Sequence, residues 1–118
     1  MLNVLTYYNT STVQIAESTF EFNKALRVSD IGGGALCIMN TTALISNSSF
    51  IGNAAEGFGG VMVSHDSMVI INNTLFYSNM AGGDGGALAT YAFPIVITSS
   101  LTVFSHTTKL EMMEEHYL

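Results

Sequence analysis

Residues 59–86 read GGVMVSHDSMVIINNTLFYSNMAGGDGG and contain one complete copy of a pattern that repeats along this chain. The copy opens with a Gly-Gly pair, passes through a short apolar run to Ile71, and reaches a Phe-x-x-Asn at 76–79. Gly-Gly pairs recur every 26 residues, at 33–34, 59–60 and 85–86. A constant period of this length is typical of a solenoid, in which each repeat stacks on the next.

Columns of equivalent apolar and amide residues align when the copies are set in register. The apolar columns are Ile15, Ile45, Ile71 and Ile97, the residues two positions earlier (Val13, Ala43, Val69 and Ile95), and the pairs Ala35-Leu36, Val61-Met62 and Ala87-Leu88. Apolar and polar residues alternate with period two around the isoleucines, which indicates strands, and helix formers are scarce. The sequence therefore predicts an all-β fold, a parallel β-helix of about three to four coils, each coil a strand, a turn, a strand and a turn.

The remaining columns predict how the coils hold together. They are Phe20, Phe50 and Phe76, then Asn23, Asn53 and Asn79, and the second glycines Gly34, Gly60 and Gly86. Successive coils lie ~4.8 Å apart, so the phenylalanines are expected to stack. The asparagines are expected to form an amide ladder that bonds both the next coil and the local backbone. The glycine pairs are expected where φ is positive or where close backbone approach excludes a Cβ.

The repeat is irregular in three places. The first unit is four residues longer than the others, and the excess is expected to bulge as a loop over Lys24 to Ile31. Val4 falls where a second glycine belongs, so the chain is expected to begin within a unit. Thr102 stands where the fourth phenylalanine belongs, and Phe104 follows two residues late.

These positions predict the organisation of the chain. The repeats are expected over 1–106, as a partial first coil (1–32) and coils 33–58, 59–84 and 85–106. Residues 107–118 form either a short C-terminal helix that caps the coil, since Leu110, Met113 and Tyr117 share one helical face, or a disordered tail. We expect a fragment of a longer β-helix whose neighbouring coils cover its ends.

The composition excludes several classes of protein. The chain of 118 residues is 48% hydrophobic and 10% charged, with a net charge of -6. Nucleic-acid binding needs a basic surface and is therefore not expected. The longest apolar stretch is about seven residues, against the ~20 that span a bilayer, so no membrane insertion is expected. No signal peptide is recognisable, and the single Cys37 is expected to be a buried structural thiol.

The repeated phrases resemble those of bacterial polymorphic outer-membrane proteins, over about residues 4–106. The matching segments are Gly33-Gly34-Ala35-Leu36 with Asn47-Ser48-Ser49-Phe50-Ile51-Gly52-Asn53, Thr74-Leu75-Phe76-Tyr77-Ser78-Asn79 with Gly85-Gly86-Ala87-Leu88, and Ser18-Thr19-Phe20-Glu21-Phe22-Asn23. The resemblance implies a right-handed β-helix of the pectin-lyase-like superfamily. It implies a non-catalytic, extracellular or cell-surface scaffold, part of a larger adhesin-like protein, whose flank binds a protein or a glycan. The alternative that it implies is a fragment of a polysaccharide lyase or hydrolase.

The acidic residues suggest one weak metal site and no catalytic centre. Asp30 and Glu56 occupy the same coil position and Asp84 lies two residues further on, which makes them candidates for a Ca²⁺ site. Solvated acidic turns are the favoured interpretation, so no cofactor is expected. Lys24 and Arg27 are expected in the inserted loop, away from the acids. The histidines His65, His106 and His116 are interpreted as isolated surface residues.

Four triplets fit the N-glycosylation acceptor pattern, beginning at Asn9, Asn40, Asn47 and Asn72. A chain rich in Ser, Thr and Asn also produces such triplets by chance. If the chain is secreted by a eukaryote, Asn9 and Asn40 are the favoured acceptors because they are expected in looser segments.

Overall fold

The computed structural model describes residues 2–5, 11–26, 33–83, 85–91, 95–97 and 103–105. The strands of a first pass are β1 (Leu2–Leu5), β2 (Ser11–Ala16), β3 (Thr19–Glu21) and β4 (Lys24–Ala25). A second pass gives β5 (Leu36–Met39), β6 (Thr41–Ser46), β7 (Ser49–Ile51) and β8 (Ala54–Ala55). A third gives β9 (Met62–His65), β10 (Met68–Asn72), β11 (Leu75–Tyr77) and β12 (Met80–Ala81), and the fourth β13 (Leu88–Tyr91), β14 (Ile95–Ile97) and β15 (Val103–Ser105). Each pass is called a repeat below.

The fold is all-β, and its sheets are parallel, as the sequence predicts. Sheet A has the strand order β1-β5-β9-β13, sheet B β14-β10-β6-β2, sheet C β15-β11-β7-β3 and sheet D β12-β8-β4. The chain therefore visits the four sheets in turn. Among the described residues, each of the first three repeats adds one strand to every sheet, and the fourth adds one each to A, B and C. The main core lies between sheets A, B and C, where the inward residues of the apolar columns pack together.

The register of the strands is the register of the sequence columns. In sheet B, Ile15 pairs with Ile45, Ile45 with Ile71, and Ile71 with Ile97. In sheet C the partners of Phe50 are Phe20 and Phe76. Phe104 is the backbone partner of Phe76, so the two additional residues lie between β14 and β15.

Two expectations about the repeat are wrong. Each complete repeat has four strands rather than two, because the phenylalanine segment and the residues after the asparagine pair as separate short strands. Val4 does not occupy a glycine position, since it pairs with Ile38, whereas Leu2 pairs with Leu36. The first repeat thus holds a strand of every sheet.

Single residues with positive φ form the corners between the sheets. They form columns: Asn40 and Asp66 between A and B, Glu17, Asn47 and Asn73 between B and C, Phe22, Gly52 and Ser78 between C and D, and Gly59 and Gly85 before A. Asn, Asp and Gly tolerate this left-handed conformation better than other residues. A strand can therefore end and the next begin within about two residues, which explains why the sheets meet at sharp corners.

The phenylalanines stack along the inside of sheet C. The ring centroids of Phe20 and Phe50 are 5.0 Å apart, and those of Phe50 and Phe76 are 5.1 Å apart, with 8° between the planes in each pair. Phe50 and Phe76 are fully buried. The stack joins three repeats through one continuous apolar column.

The asparagines form a ladder that runs between repeats. Asn53 Oδ1 accepts hydrogen bonds from the backbone N–H of Asn23 (3.0 Å) and from its Nδ2 (2.9 Å). Asn53 Nδ2 donates to the carbonyl of Phe20 (3.0 Å) and to Asn79 Oδ1 (3.1 Å). The backbone partners of Asn53 thus belong to the neighbouring repeat, which corrects the expected bond to the local backbone.

Replacing Asn53 by alanine is expected to destabilise the fold by about 2–3 kcal/mol, because a buried side chain with four hydrogen bonds is lost. Asn23→Ala is the matched control. Asn23 is only half-buried and stands at the end of the ladder, so its loss should cost less. Urea unfolding followed by circular dichroism compares the two, and equal costs would contradict the ladder as a source of stability.

Candidate interaction surface

The corner between sheets C and D carries a group of exposed apolar side chains. Phe22 is 75% exposed and Met80 is 59% exposed, and Leu26 and Tyr77 are also exposed. Phe22 follows β3 and Leu26 follows β4 in the first repeat, whereas Tyr77 closes β11 and Met80 opens β12 in the third. Stacking of the repeats therefore brings two sequence-distant segments to one flank. We call these four residues the C–D corner.

Phe22 has an unusual backbone conformation. Its φ is +55°, and the equivalent residues in the next repeats are Gly52 and Ser78. A bulky residue rarely adopts this conformation, which costs roughly 1–2 kcal/mol per residue. The ring lies against the next repeat, because a Cβ built on Gly52 would be 2.6 Å from Phe22 Cε1. The molecule thus holds a large apolar side chain at the surface in a strained conformation.

A shallow depression of about 270 Å³ lies beside this corner. It is lined by Lys24, Ala54, Ala55, Glu56, Met80, Ala81 and Gly82. The expectation that Lys24 lies in the inserted loop is wrong, because Lys24 belongs to β4 and pairs with Ala54. The pairing of β4 extends to Ala25, so the insertion lies after that residue, largely outside the described residues. The depression therefore combines an alanine-rich floor with one ammonium and one carboxylate group.

The described residues carry little support for a metal site. Asp30 and Asp84 lie outside them, and Glu56 is an exposed residue of the depression. Within the described ranges, no three His, Cys, Asp or Glu side chains lie close enough together to hold a metal ion. The same part of the chain contains no helix that is both long and apolar enough to cross a membrane.

His65 is not the isolated surface residue that the sequence suggested. Its ring stacks on that of Tyr91 with 4.6 Å between the centroids and 8° between the planes. His65 and Tyr91 pair in register and are 26 residues apart, so the repeat period contained the signal for this contact. Tyr91 packs with Val63 and Ala89 in a second cluster on the outer face of sheet A. His106 and His116 lie outside the described residues.

Two hydroxyl groups and a thiol are buried in sheet A. Ser64 Oγ donates to Thr90 Oγ1 at 2.9 Å, which satisfies two polar groups in an otherwise apolar column. Cys37 is buried, as expected, and burial raises the pKa of its thiol. All three side chains are almost completely inaccessible to solvent.

The acceptor triplets differ in their surroundings. Asn40 does not lie in a loose segment, since it is a one-residue corner whose N–H donates to the His65 carbonyl at 3.0 Å. Asn47 is exposed and its Oδ1 accepts from Asn73 Nδ2 at 2.6 Å. Asn72 is exposed at the end of β10. Asn9 lies outside the described residues.

Comparison of the chain with family models, with curated proteins and with solved structures finds no match. The function must therefore be argued from the surface itself. The C–D corner exposes aromatic, thioether and aliphatic groups, and one of its members, Met80, also lines the depression that holds Lys24 and Glu56. Tyr, Phe and Met are enriched at protein interfaces, so the chemistry of the corner is that of a contact surface.

Proposed function

We propose that this chain is a right-handed parallel β-helix that acts as a non-catalytic scaffold outside the cell or on its surface. The parallel sheets, which gain one strand per repeat, support the β-helix. The right hand and the location rest on the resemblance of the Gly-Gly and Phe-x-x-Asn repeats to those of polymorphic outer-membrane proteins. The stacked repeats supply a rigid flank, and the C–D corner on that flank binds a partner protein.

The strained and exposed Phe22 is the observation that carries this proposal. Backbone strain at an exposed residue lowers stability without improving the core, and such outliers cluster at functional positions. The next repeats have Gly52 and Ser78 at the same corner, so the fold does not require an aromatic residue there. A contact function explains why the ring is presented at the surface.

The chemistry of the corner favours a protein as the partner. Phe22, Tyr77 and Met80 provide apolar anchors of the kind found at the centre of protein interfaces. The net charge of -6 favours a partner with a basic rim, which electrostatic attraction would steer to the acidic chain. We therefore infer a protein partner with an apolar centre and basic surroundings.

Replacing Phe22 by asparagine is expected to raise the free energy of unfolding by about 1 kcal/mol, because asparagine tolerates positive φ. The same change should weaken partner binding at least about tenfold, since an apolar anchor is lost. Binding is measured on immobilised collagen, laminin and fibronectin, with hyaluronan and heparin as glycan probes. The matched control is Met68→Asn, an exposed residue on the outer face of sheet B, which should bind like the unchanged chain.

Gain of stability together with loss of binding is the result that distinguishes a contact residue from a structural one. Three outcomes would contradict the proposal: binding confined to the glycan probes, equal binding by both variants, or no saturable binding to any protein probe. Lower stability of Phe22→Asn would show instead that the ring serves the fold.

One observation favours the polysaccharide lyase as a second candidate. Lys24 and Glu56 line the same depression, and a lysine is a residue type that can take a proton from a uronate ring. In such an elimination the base removes the C5 proton, a C4=C5 double bond forms as the C4–O bond breaks, and the departing sugar oxygen takes a proton from water. The products are an unsaturated uronate and a sugar chain with a free hydroxyl group. Assay of the chain on acidic polysaccharides should show no such product if the scaffold proposal is right, whereas release that is lost in Lys24→Met would establish the enzyme.

A further inference from the structure

The first repeat leaves the interior of the molecule partly open. Along the isoleucine column of sheet B, Ile15 is 6% exposed whereas Ile71 is fully buried. Phe20 and Val13 are half-buried, although the residues stacked on them in the next repeat have no exposed surface. At this end of the described structure, side chains that belong to the apolar columns of the core are therefore partly exposed to solvent.

The hydrogen-bonding ladder is also open at this end. Asn53 Oδ1 accepts two hydrogen bonds from Asn23, and Asn79 Oδ1 accepts two from Asn53. Asn23 Oδ1 accepts none from the residues that the structure describes. The half-buried side chain therefore presents the acceptor that one further repeat would use.

At the opposite end of sheet B, the isoleucine column is also exposed. Ile97 in β14 is 37% exposed, whereas its partner Ile71 is fully buried. Sheet B runs from β2 at one edge to β14 at the other, and both edge strands carry an isoleucine at the shared inward position. The two ends thus have the features that join neighbouring repeats inside the molecule.

We propose that a second copy of this chain binds at the open edge, head to tail. Strand β14 of one copy pairs with β2 of the next, so that Ile97 of one stacks on Ile15 of the other in the register of the internal repeats. The contact continues an interface that the molecule already uses between each pair of repeats. Because the two contacting surfaces differ, the association is heterologous and adds copies without a closed end.

The backbone of β2 has the donors that this pairing needs. Along a strand, the N–H groups of successive residues point to opposite neighbouring strands. The N–H of Glu17 donates to the Ser46 carbonyl at 3.1 Å, on the side of β6. The N–H groups of Gln14 and Ala16 therefore point to the open edge of sheet B. Unpaired edges of this kind are templates for a further strand. The net charge of -6 on each copy opposes the contact, and salt screens that repulsion.

The 118-residue chain is expected to associate with rising concentration, and more strongly in high salt than in low salt. Sedimentation velocity and light scattering should show a weight-average mass that increases without a plateau at the dimer. Two variants each block one end. Gln14→Pro removes an N–H at the open edge of β2, and Ile97→Asp places a charge on the interior column at the other edge.

The mixture of the two variants is the decisive measurement. Each alone should remain a monomer, whereas an equal mixture should form a dimer and stop there, because each retains one intact end. Val96→Asp is the matched control: it adds the same charge to the outer face of the same strand, where Val96 is exposed, and it should still form long assemblies.

The proposal is overturned if the unchanged chain stays monomeric at high concentration and high salt, or if it stops at a symmetric dimer. It is also overturned if the mixed variants remain monomers while both show the circular dichroism of the unchanged chain. If Gln14→Pro does not fold, the Thr12→Pro variant replaces it, since Thr12 lies on the same side of the β2 ladder and its side chain is exposed.

Discussion

Replacing Phe50 by alanine is expected to remove about 3–5 kcal/mol from the free energy of unfolding. Phe50 is fully buried and its ring contacts Phe20 on one face and Phe76 on the other. The substitution therefore removes two stacking contacts and leaves a cavity in the middle of the column. Since small domains are stable by only about 5–15 kcal/mol, this loss is a large part of the total stability.

Urea unfolding of the chain at low concentration measures this effect, with Phe20→Ala as the control. Phe20 is half-buried at the end of the column and stacks on one neighbour, so its loss should cost clearly less. A nearly neutral Phe50→Ala would contradict the stacking register. Equal costs at the two positions would show that the end of the column is as well packed as its centre.

The columns of the fold could be predicted because identical environments recur at a constant spacing. Ile45 and Ile71 lie in the same position of successive strands, and the same side chain satisfies the same environment in each. The amide ladder is equally regular, because a buried Asn79 needs the same partners as Asn53. Where the spacing stays at 26 residues, periodicity therefore predicts which strands are neighbours and in what register.

The corners and insertions could not be predicted in this way. The strands after the asparagine are two residues long, which is too short to show an alternating pattern. For this reason Lys24 was expected in a loop although it belongs to β4. Additional residues between β1 and β2 hide the register of β1. Val4 was assigned to a glycine position from its spacing to Ile15, and that spacing did not allow for the additional residues.

The C–D corner was missed because it is a property of the assembled surface. Phe22, Tyr77 and Met80 belong to two repeats, and no motif connects them in the sequence. The one available signal is the column of Phe22, where the other members are Gly52 and Ser78. A large residue in a column of small ones is the pattern that indicates an outward side chain.

The glycine column is the position where the repeats come closest together. The N–H of Gly60 donates to the Gly85 carbonyl at 3.1 Å, which joins two repeats at the entrance to sheet A. A Cβ on Gly60 would clash with the Gly86 carbonyl oxygen and would lie 2.6 Å from the Met80 carbonyl oxygen. Both are backbone atoms, so neither can rotate away as a side chain would.

Gly60→Ala is therefore expected to lower the free energy of unfolding by about 4 kcal/mol or more, an exceptionally large effect for a single substitution. The matched control is Gly83→Ala. The atoms closest to a Cβ there, at 2.9 and 3.0 Å, belong to the ring of Phe58, which can move, and the Gly57 carbonyl oxygen is further away at 3.2 Å. Gly83 is also exposed, and its substitution should change stability by less than about 1 kcal/mol. Circular dichroism and urea unfolding compare the two. A folded Gly60→Ala of ordinary stability would mean that the repeats can separate at this corner, and the spacing of the Gly-Gly pairs would then need another physical cause.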